Sequence, residues 1–429
     1  MLIMAFSQVG NLINFYIGTF LVMDTVSPKL LGAIIPLTEL ATFIVIPLMI
    51  ITRTYLKYIN VFYTEGHHGK IKSMLRDLAI FTGGLSLLIL PLLYAQTNFI
   101  MVRLKFDDPE IVWLVAGLGI ASCWLPAVVS GTQGVMNFRR IILTRVLGPI
   151  TRLVVMLVLL QRLALSGYLY ANLAGMLAVI VFLSFGLRKY MHKDIPFESY
   201  RSHWPEMRRY MIPIATISIF TGLQLAVEPW VIRQRLSEAD SAGYFLVSRF
   251  GMIPMYIANA IVVILFPLAS KKHENGESTR RMLLQAVGFV FTIGTITAVS
   301  LHSVGPWLLN LNPTWSPYLP YAPLLFPIGM ISTLLCLFQV FSAHENAVSR
   351  FNYLKYTVPI IILEVVILYG LNMWHVFKPH MHPETWQAVS NYAVQNLDFS
   401  IMVMLLARIL VAVFIVASLV RNRVHPANA

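Results

Sequence analysis

The sequence predicts an all-α integral membrane protein, with twelve transmembrane helices forming two six-helix bundles around a central cavity. Three observations carry that prediction. Apolar types make up 57% of the 429 residues and charged types only 12%, about half the charged share of an ordinary soluble domain. Apolar runs of about 20 residues recur from end to end, the length a helix needs to cross roughly 30 Å of hydrocarbon. Lysine and arginine crowd into every second loop between those runs.

Taken in order, the predicted spans are Leu2–Met23, Leu31–Ile51, Leu75–Tyr94, Ile111–Val129, Ile141–Leu160 and Leu165–Leu187 in the first half. Ile212–Val231, Ala242–Pro267, Met282–Val304, Leu319–Phe341, Thr357–Trp374 and Phe399–Val420 follow in the second. Pro, Thr, Ser and single charges interrupt the second and eighth. The first lacks a basic lead and an Ala-x-Ala-like cleavage site, so it reads as a retained helix rather than a signal peptide. Cys123 and Cys336 both fall inside spans, which fits reduced, packing thiols and not a disulfide framework.

Pooling alternate loops tests the segmentation. One pool carries about 22 lysines and arginines and the other about 7, a threefold bias held across the loop pairs. The positive-inside rule then puts both termini in the cytoplasm of a bacterium, with the chain in its inner membrane. The net charge of +13 is accounted for by topology signals and contacts with anionic membrane lipids. Nucleic acid is excluded as a partner, because the basic residues are dispersed over short loops and form no single surface with interleaved aromatics.

Landmarks recur at an offset of about 210 residues. Gly66 with Lys70 matches Gly276 with Arg280, Arg140 with Pro149 matches Arg350 with Pro359, and Gly32 answers Gly243. An internal duplication follows: a first bundle over residues 1–187, a basic cytoplasmic linker over 188–211, and a second bundle over 212–429. Two halves of six spans share one orientation, an architecture suited to alternating access.

Apart from Arg76, Asp77 and Arg145 near span ends, six charges lie within the spans: Glu39, Arg152, Glu228, Arg249, Glu364 and Arg408. An ionised group in hydrocarbon costs several kcal/mol, so such residues face the bundle interior or water and have partners. Arg249 is the sharpest candidate for a substrate-binding residue. It lies about two turns into the eighth span, and a guanidinium keeps its charge and offers a planar fork of donors matched to phosphate oxygens. Glu39 falls 210 residues before it, an opposite charge at matching depth in the other half. It is a candidate either as a substrate-binding residue or as the partner of Arg249 across the cleft. Arg152 and Glu364, in the corresponding fifth and eleventh spans, either line the cavity or form structural pairs. Glu228, beside Pro229-Trp230 near the outer end of the seventh span, is a candidate coupling-ion site. Arg408 reads as structural.

No phosphate-binding Gly-rich loop, His-Glu-x-x-His, Cys-x-x-Cys or Gly-x-Ser-x-Gly occurs, so neither a nucleotide, a metal nor any other cofactor is expected. His375, His380 and His382 in one outer loop read as ordinary loop residues. That loop has only Lys378, Glu384 and Asp398 as formal charges, too few for a membrane glycosyltransferase or polymerase, and no enzymatic activity is expected.

The run from Glu228 through Gly243-Tyr244, Arg249, Pro254 and Phe266-Pro267 to Lys271 resembles the bacterial polysaccharide flippases, which include the O-antigen and capsule repeat-unit flippases. They belong to the multidrug/oligosaccharidyl-lipid/polysaccharide exporter (MOP) superfamily. Leu31-Gly32-Ala33-Ile34 with Pro36-Leu37 is similar to the start of their second span. The 6+6 layout covers the whole chain, while the motifs cover about a tenth of it. The resemblance implies a MATE-like fold and a flippase that moves an undecaprenyl-diphosphate oligosaccharide outward. It also implies a headgroup near Arg249 and, as partners, the lipid-linked oligosaccharide and polysaccharide polymerase or export proteins. Two departures matter. The first span has no arginine or lysine, unlike lipid II flippases, which argues against lipid II as substrate. The chain also begins almost directly in the membrane, where relatives have a short basic lead, so a first helical turn is expected to be missing. The alternative within the superfamily is a cation-coupled multidrug exporter. Such proteins usually carry an acid deep in span one, whereas the first acid here, Asp24, is at its outer end.

Overall fold

Without water in the hydrocarbon, a chain must satisfy its own backbone, and the helix does this within one segment. The computed structural model describes residues 2–104, 108–235, 237–256, 261, 265, 269, 272, 276–348, 350–377 and 397–421, and within these every regular element is helical. The helices are α1 (Leu2–Tyr16), α2 (Val22–Thr25), α3 (Pro28–Ile44), α4 (Ile46–Thr64), α5 (His68–Ala95), α6 (Thr97–Leu104) and α7 (Glu110–Gly134). They continue with α8 (Phe138–Leu187), α9 (Trp204–Arg235), α10 (Glu238–Gly251), α11 (Arg280–Asn310), α12 (Leu325–Ala347), α13 (Leu354–Phe377) and α14 (Leu397–Arg421). A π-helical turn, Ile17–Leu21, joins α1 to α2. Seven described helical stretches are long and apolar enough to cross a membrane, or eight counting the pair 30–41 and 46–64, which is bent by 51°.

Local chemistry explains where the helices depart from the expected spans. Predicted spans five and six share the continuous assignment of α8. Fifty residues at about 1.5 Å each would far exceed a bilayer, and Ala164, at φ 44° and ψ −116°, breaks the helix between them. The tenth span opens as a 3₁₀ segment, Ser316–Leu324, because Pro317, Pro320 and Pro323 remove every third amide donor. Helices α5 and α9 run beyond their predicted spans, to His68 and Arg235 respectively. The second half of the eighth span, with Phe266 and Pro267, lies largely outside the described residues, as do His380 and His382.

The chain divides into two compact units, Met1–Trp230 and Val231–Ala429. In the first, α7 is the hub, touching α3, α4, α5 and α8, and its most apolar stretch is 61% buried. Alongside it, α1 meets α8 so closely that a side chain on Gly10 would strike the Arg145 carbonyl. In the second unit, α12 is the hub against α10, α11 and α14, and the stretch Ser316–Ala347 is 72% buried. Large apolar side chains on the outer helices remain exposed, among them Leu87, Val154, Phe289, Val366 and Val413. A soluble protein would bury such surface, and a lipid-facing one leaves it out.

The basic segment between α8 and α9 is a folded strap on the first unit. Lys72 is buried, and its ammonium donates to the carbonyls of His192 and Ile195 at 2.9 and 2.7 Å. The Tyr200 hydroxyl donates to Asp77 at 2.8 Å and shares a 3.1 Å hydrogen bond with Tyr55. His203 packs edge-on against Phe62, with ring centroids 5.0 Å apart. Burial, followed by the hydrogen bonds to Tyr55 and Asp77, holds the Tyr200 phenol far above its ordinary pKa of 10.0.

Candidate functional site

Each candidate charge is placed by the helix that carries it. In the first unit, Arg152 lies on α8, two turns past the point where Gly10 meets the Arg145 carbonyl. One turn along α1 from the same contact is Asn14, and the Arg152 guanidinium donates to the Asn14 side-chain oxygen at 3.2 Å. It also lies 5.1 Å from the centroid of the Tyr168 ring. Arg152 is half-buried, so a cation is held at the α1–α8 seam by a carboxamide and an aromatic face. Glu39 on α3 is half-buried as well. Glu228 on α9 is 8% exposed, and Gln224, one turn earlier on the same face, is 3% exposed. Further along that helix Arg53 donates to Ser218 at 3.5 Å. Ser218, Thr221, Gln224 and Glu228 thus form a polar stripe along one face of α9.

In the second unit, the geometry of α10 fixes Arg249. Ser237 caps the helix, accepting the Asp240 amide at 3.0 Å. Glu238 and Asp240 in the first turn suit the positive end of the helix dipole. Two glycines bring α10 against its neighbours: a Cβ on Gly243 would meet the Tyr321 ring at 2.6 Å, and one on Gly251 would meet Ile328 of α12 at 2.5 Å. Tyr321 donates to Asp240 at 2.8 Å and pins the capped end. At about 100° per residue, Arg249 projects from the face roughly opposite those glycines. It is half-buried, with its guanidinium 5.1 Å from the Phe245 ring centroid.

Glu364 is not an open acid. Arg408 on α14 donates to it at 2.7 Å, and the two residues are 2% and 3% exposed. This buried charge pair joins α13 to α14 and takes Glu364 out of contact with solvent. Two further cations, Lys72 and Arg233, which the predicted spans leave in loops, are buried on helices instead. Arg233, expected in an outer loop, is only 1% exposed inside the extended α9, and Lys72 serves the strap. No hydropathy window could have found either, since both depend on what the helix end packs against. Among the described residues no group of three or more His, Cys, Asp or Glu side chains could hold a metal ion.

No protein-family model matches this chain, and no curated protein sequence matches it. Solved structures do. A multidrug resistance MATE family transporter of the MOP superfamily, in an inward-facing conformation, aligns over 97% of this chain and 96% of its own, with a TM-score of 0.71 at 13% identity. The fold is that of the MOP-superfamily transporters. A MOP superfamily transporter from Pyrococcus furiosus, described by a binding pocket of reversed polarity that suggests a different function, aligns over 98% and 93%. Its TM-score is 0.66 and its identity 13%. A mutant of the Vibrio cholerae MATE transporter VcmN aligns over 99% and 95%, with a TM-score of 0.65 and 13% identity. The chain therefore shares its fold with these solved membrane transporters.

Proposed function

We propose that this protein is an alternating-access flippase that carries a lipid-linked oligosaccharide, bound through its diphosphate, outward across the bacterial inner membrane for surface polysaccharide synthesis. Arg249 carries the reading. It is a permanent cation, half-buried within a helix of a transporter fold and projecting from the face opposite the helix's glycine contacts. A guanidinium can bind two phosphate oxygens at once, and in a site of low dielectric such a bond is strong. Arg152, with Asn14 and Tyr168, supplies a second cation beside a carboxamide and an aromatic face, groups that suit hydroxylated rings. Glu39 is assigned to the same substrate path. Glu364 contributes through the α13–α14 pair and not by direct contact.

A specific observation favours a second reading, cation-coupled drug export. Glu228 is a buried acid on a polar helix stripe, and the solved structures of this fold include a multidrug resistance transporter. The pocket of reversed polarity in the Pyrococcus furiosus transporter, which suggests a different function for that protein, supports the view that the fold serves more than one function.

Complementation in a bacterium lacking its repeat-unit flippase separates the readings. The intact chain should restore surface polysaccharide, Arg249→Ala should abolish rescue at equal membrane abundance, and Arg249→Lys should retain part of it. Full rescue by the alanine variant removes Arg249 from the headgroup site. Drug resistance conferred by the intact chain and lost in Glu228→Gln, without polysaccharide rescue, selects the exporter.

A further inference from the structure

The first unit carries a groove that the transport reading does not use. It has a volume of about 510 Å³, within the usual size range of small-molecule sites. Its walls come from three helices: Leu75 and Leu78 of α5, Trp124 and Ala127 of α7, Val181 and Phe185 of α8. These walls are mostly hydrocarbon, with the Ser184 hydroxyl and the Trp124 indole N–H as polar groups, until the groove reaches Arg188 and Met191 at one end.

That end is built and charged. Arg188 is exposed, and among the described residues no acid pairs with it. The chain directly after it is tied down by the Lys72 bonds to His192 and Ile195, so the guanidinium is held near the mouth. Lys189, Lys193, Arg201, Arg208 and Arg209 on the same segment are exposed too, as are the large apolar side chains Met191, Phe197 and Trp204. Basic groups interleaved with aromatic and apolar ones mark the level where a membrane protein meets lipid headgroups.

We infer that the groove seats one hydrocarbon chain of an anionic phospholipid, with its phosphate against Arg188. The walls favour a hydrocarbon occupant over a polar one, because Ser184 and Trp124 could replace only a small part of a polar group's lost hydrogen bonds with water. Arg188, with no acid paired to it, and a segment whose six basic residues outnumber its three acids, Asp194, Glu198 and Glu206, favour an anionic head over a zwitterionic one. The site lies wholly within one unit, on the face of three helices. It rests neither on Arg249 nor on the nature of the transported molecule.

The test is native mass spectrometry of the purified full chain with dioleoyl phosphatidylglycerol or dioleoyl phosphatidylcholine, counting retained lipid. The intact chain should keep one phosphatidylglycerol in preference to phosphatidylcholine by about fivefold, the discrimination expected of one basic residue near a lipid phosphate. Arg188→Gln, a surface change that leaves the packing alone, should remove the preference, and Arg350→Gln in the second unit should not. Ala127→Phe, which fills the groove, should lose the bound lipid with either headgroup while the protein stays monodisperse. Equal retention of the two lipids by the intact chain, or an unchanged preference in Arg188→Gln, overturns the assignment. Displacement of the phosphatidylglycerol by an equimolar polyprenyl phosphate also overturns it, and gives the groove to the carrier lipid instead.

Discussion

At the scale of single residues, the outcome for each buried charge depends on what faces it. Glu364 and Arg408 are fully desolvated and joined at 2.7 Å, so removing one strands the other. Arg408→Ala should destabilise the protein by about 3–5 kcal/mol, whereas Glu364→Leu with Arg408→Met should restore most of the loss, because an apolar pair has no charge to desolvate. Unfolding midpoints in detergent distinguish these outcomes, and equal loss in the single and double variants would contradict the pairing. Tyr200 gives a pH prediction of definite sign. Its pKa is raised on folding, so its contribution is complete below the unfolded value of about 10 and is lost as pH rises above it. Stability should fall more steeply between about pH 9 and 11 in the intact chain than in Tyr200→Phe. The sequence marks the six charges within the predicted spans because an ionised residue in an apolar run is visible by inspection. It left the partners open for Arg152 and Glu364, since helix rotation and the choice of neighbour decide whether Arg152 meets Asn14 or Glu364 meets Arg408. The predicted spans leave Lys72 and Arg233 in loops for the same reason.

Single helices were legible to the extent that hydropathy governs them. Apolar runs mark where helices lie but not their ends, because α5 and α9 continue as helices past their predicted spans and are held there by the strap and by buried contacts. The 3₁₀ opening of the tenth span was written in three prolines that a hydropathy reading treats as apolar filler. The seam between α1 and α8 depends on a single missing side chain. Gly10→Val should push α1 off the Arg145 carbonyl, and with it the Asn14–Arg152 hydrogen bond. The expected result is loss of folded protein from the membrane fraction, with Gly10→Ala intermediate. Normal abundance and melting in the valine variant would mean that the seam tolerates a wider spacing. At Ala164 the expectation is opposite in sign. Its positive φ is strained for any residue with a Cβ, so Ala164→Gly should raise the unfolding midpoint or leave it unchanged, and Ala164→Val should lower it.

At the scale of the whole molecule, two features correspond at the sequence offset of about 210. Gly66 and Gly276 both adopt the left-handed conformation, at φ 77° and 73°, in the turns that precede α5 and α11. The buried hubs, α7 and the Ser316–Ala347 stretch, are the fourth helix of each set of six predicted spans. Such agreement at turn and core is what the duplication read from the sequence predicts. The direction of the predicted spans in the membrane is an expectation from charge alone. The strap, with Lys193 and Arg201, belongs to the rich pool of basic residues, so the positive-inside rule assigns it to the cytoplasm and the Ser316 segment to the outside. Cys123 and Cys336 are buried and unbridged, and replacing both with serine or alanine gives a background for single exposed cysteines. In intact cells a membrane-impermeant maleimide should label Ser316→Cys and spare Ser202→Cys, which should react only after the membrane is opened. The reverse pattern would invert the protein. Labelling of both positions in intact cells would place the two segments on one side, which an odd number of crossings between them cannot do, and would overturn the twelve-span arrangement.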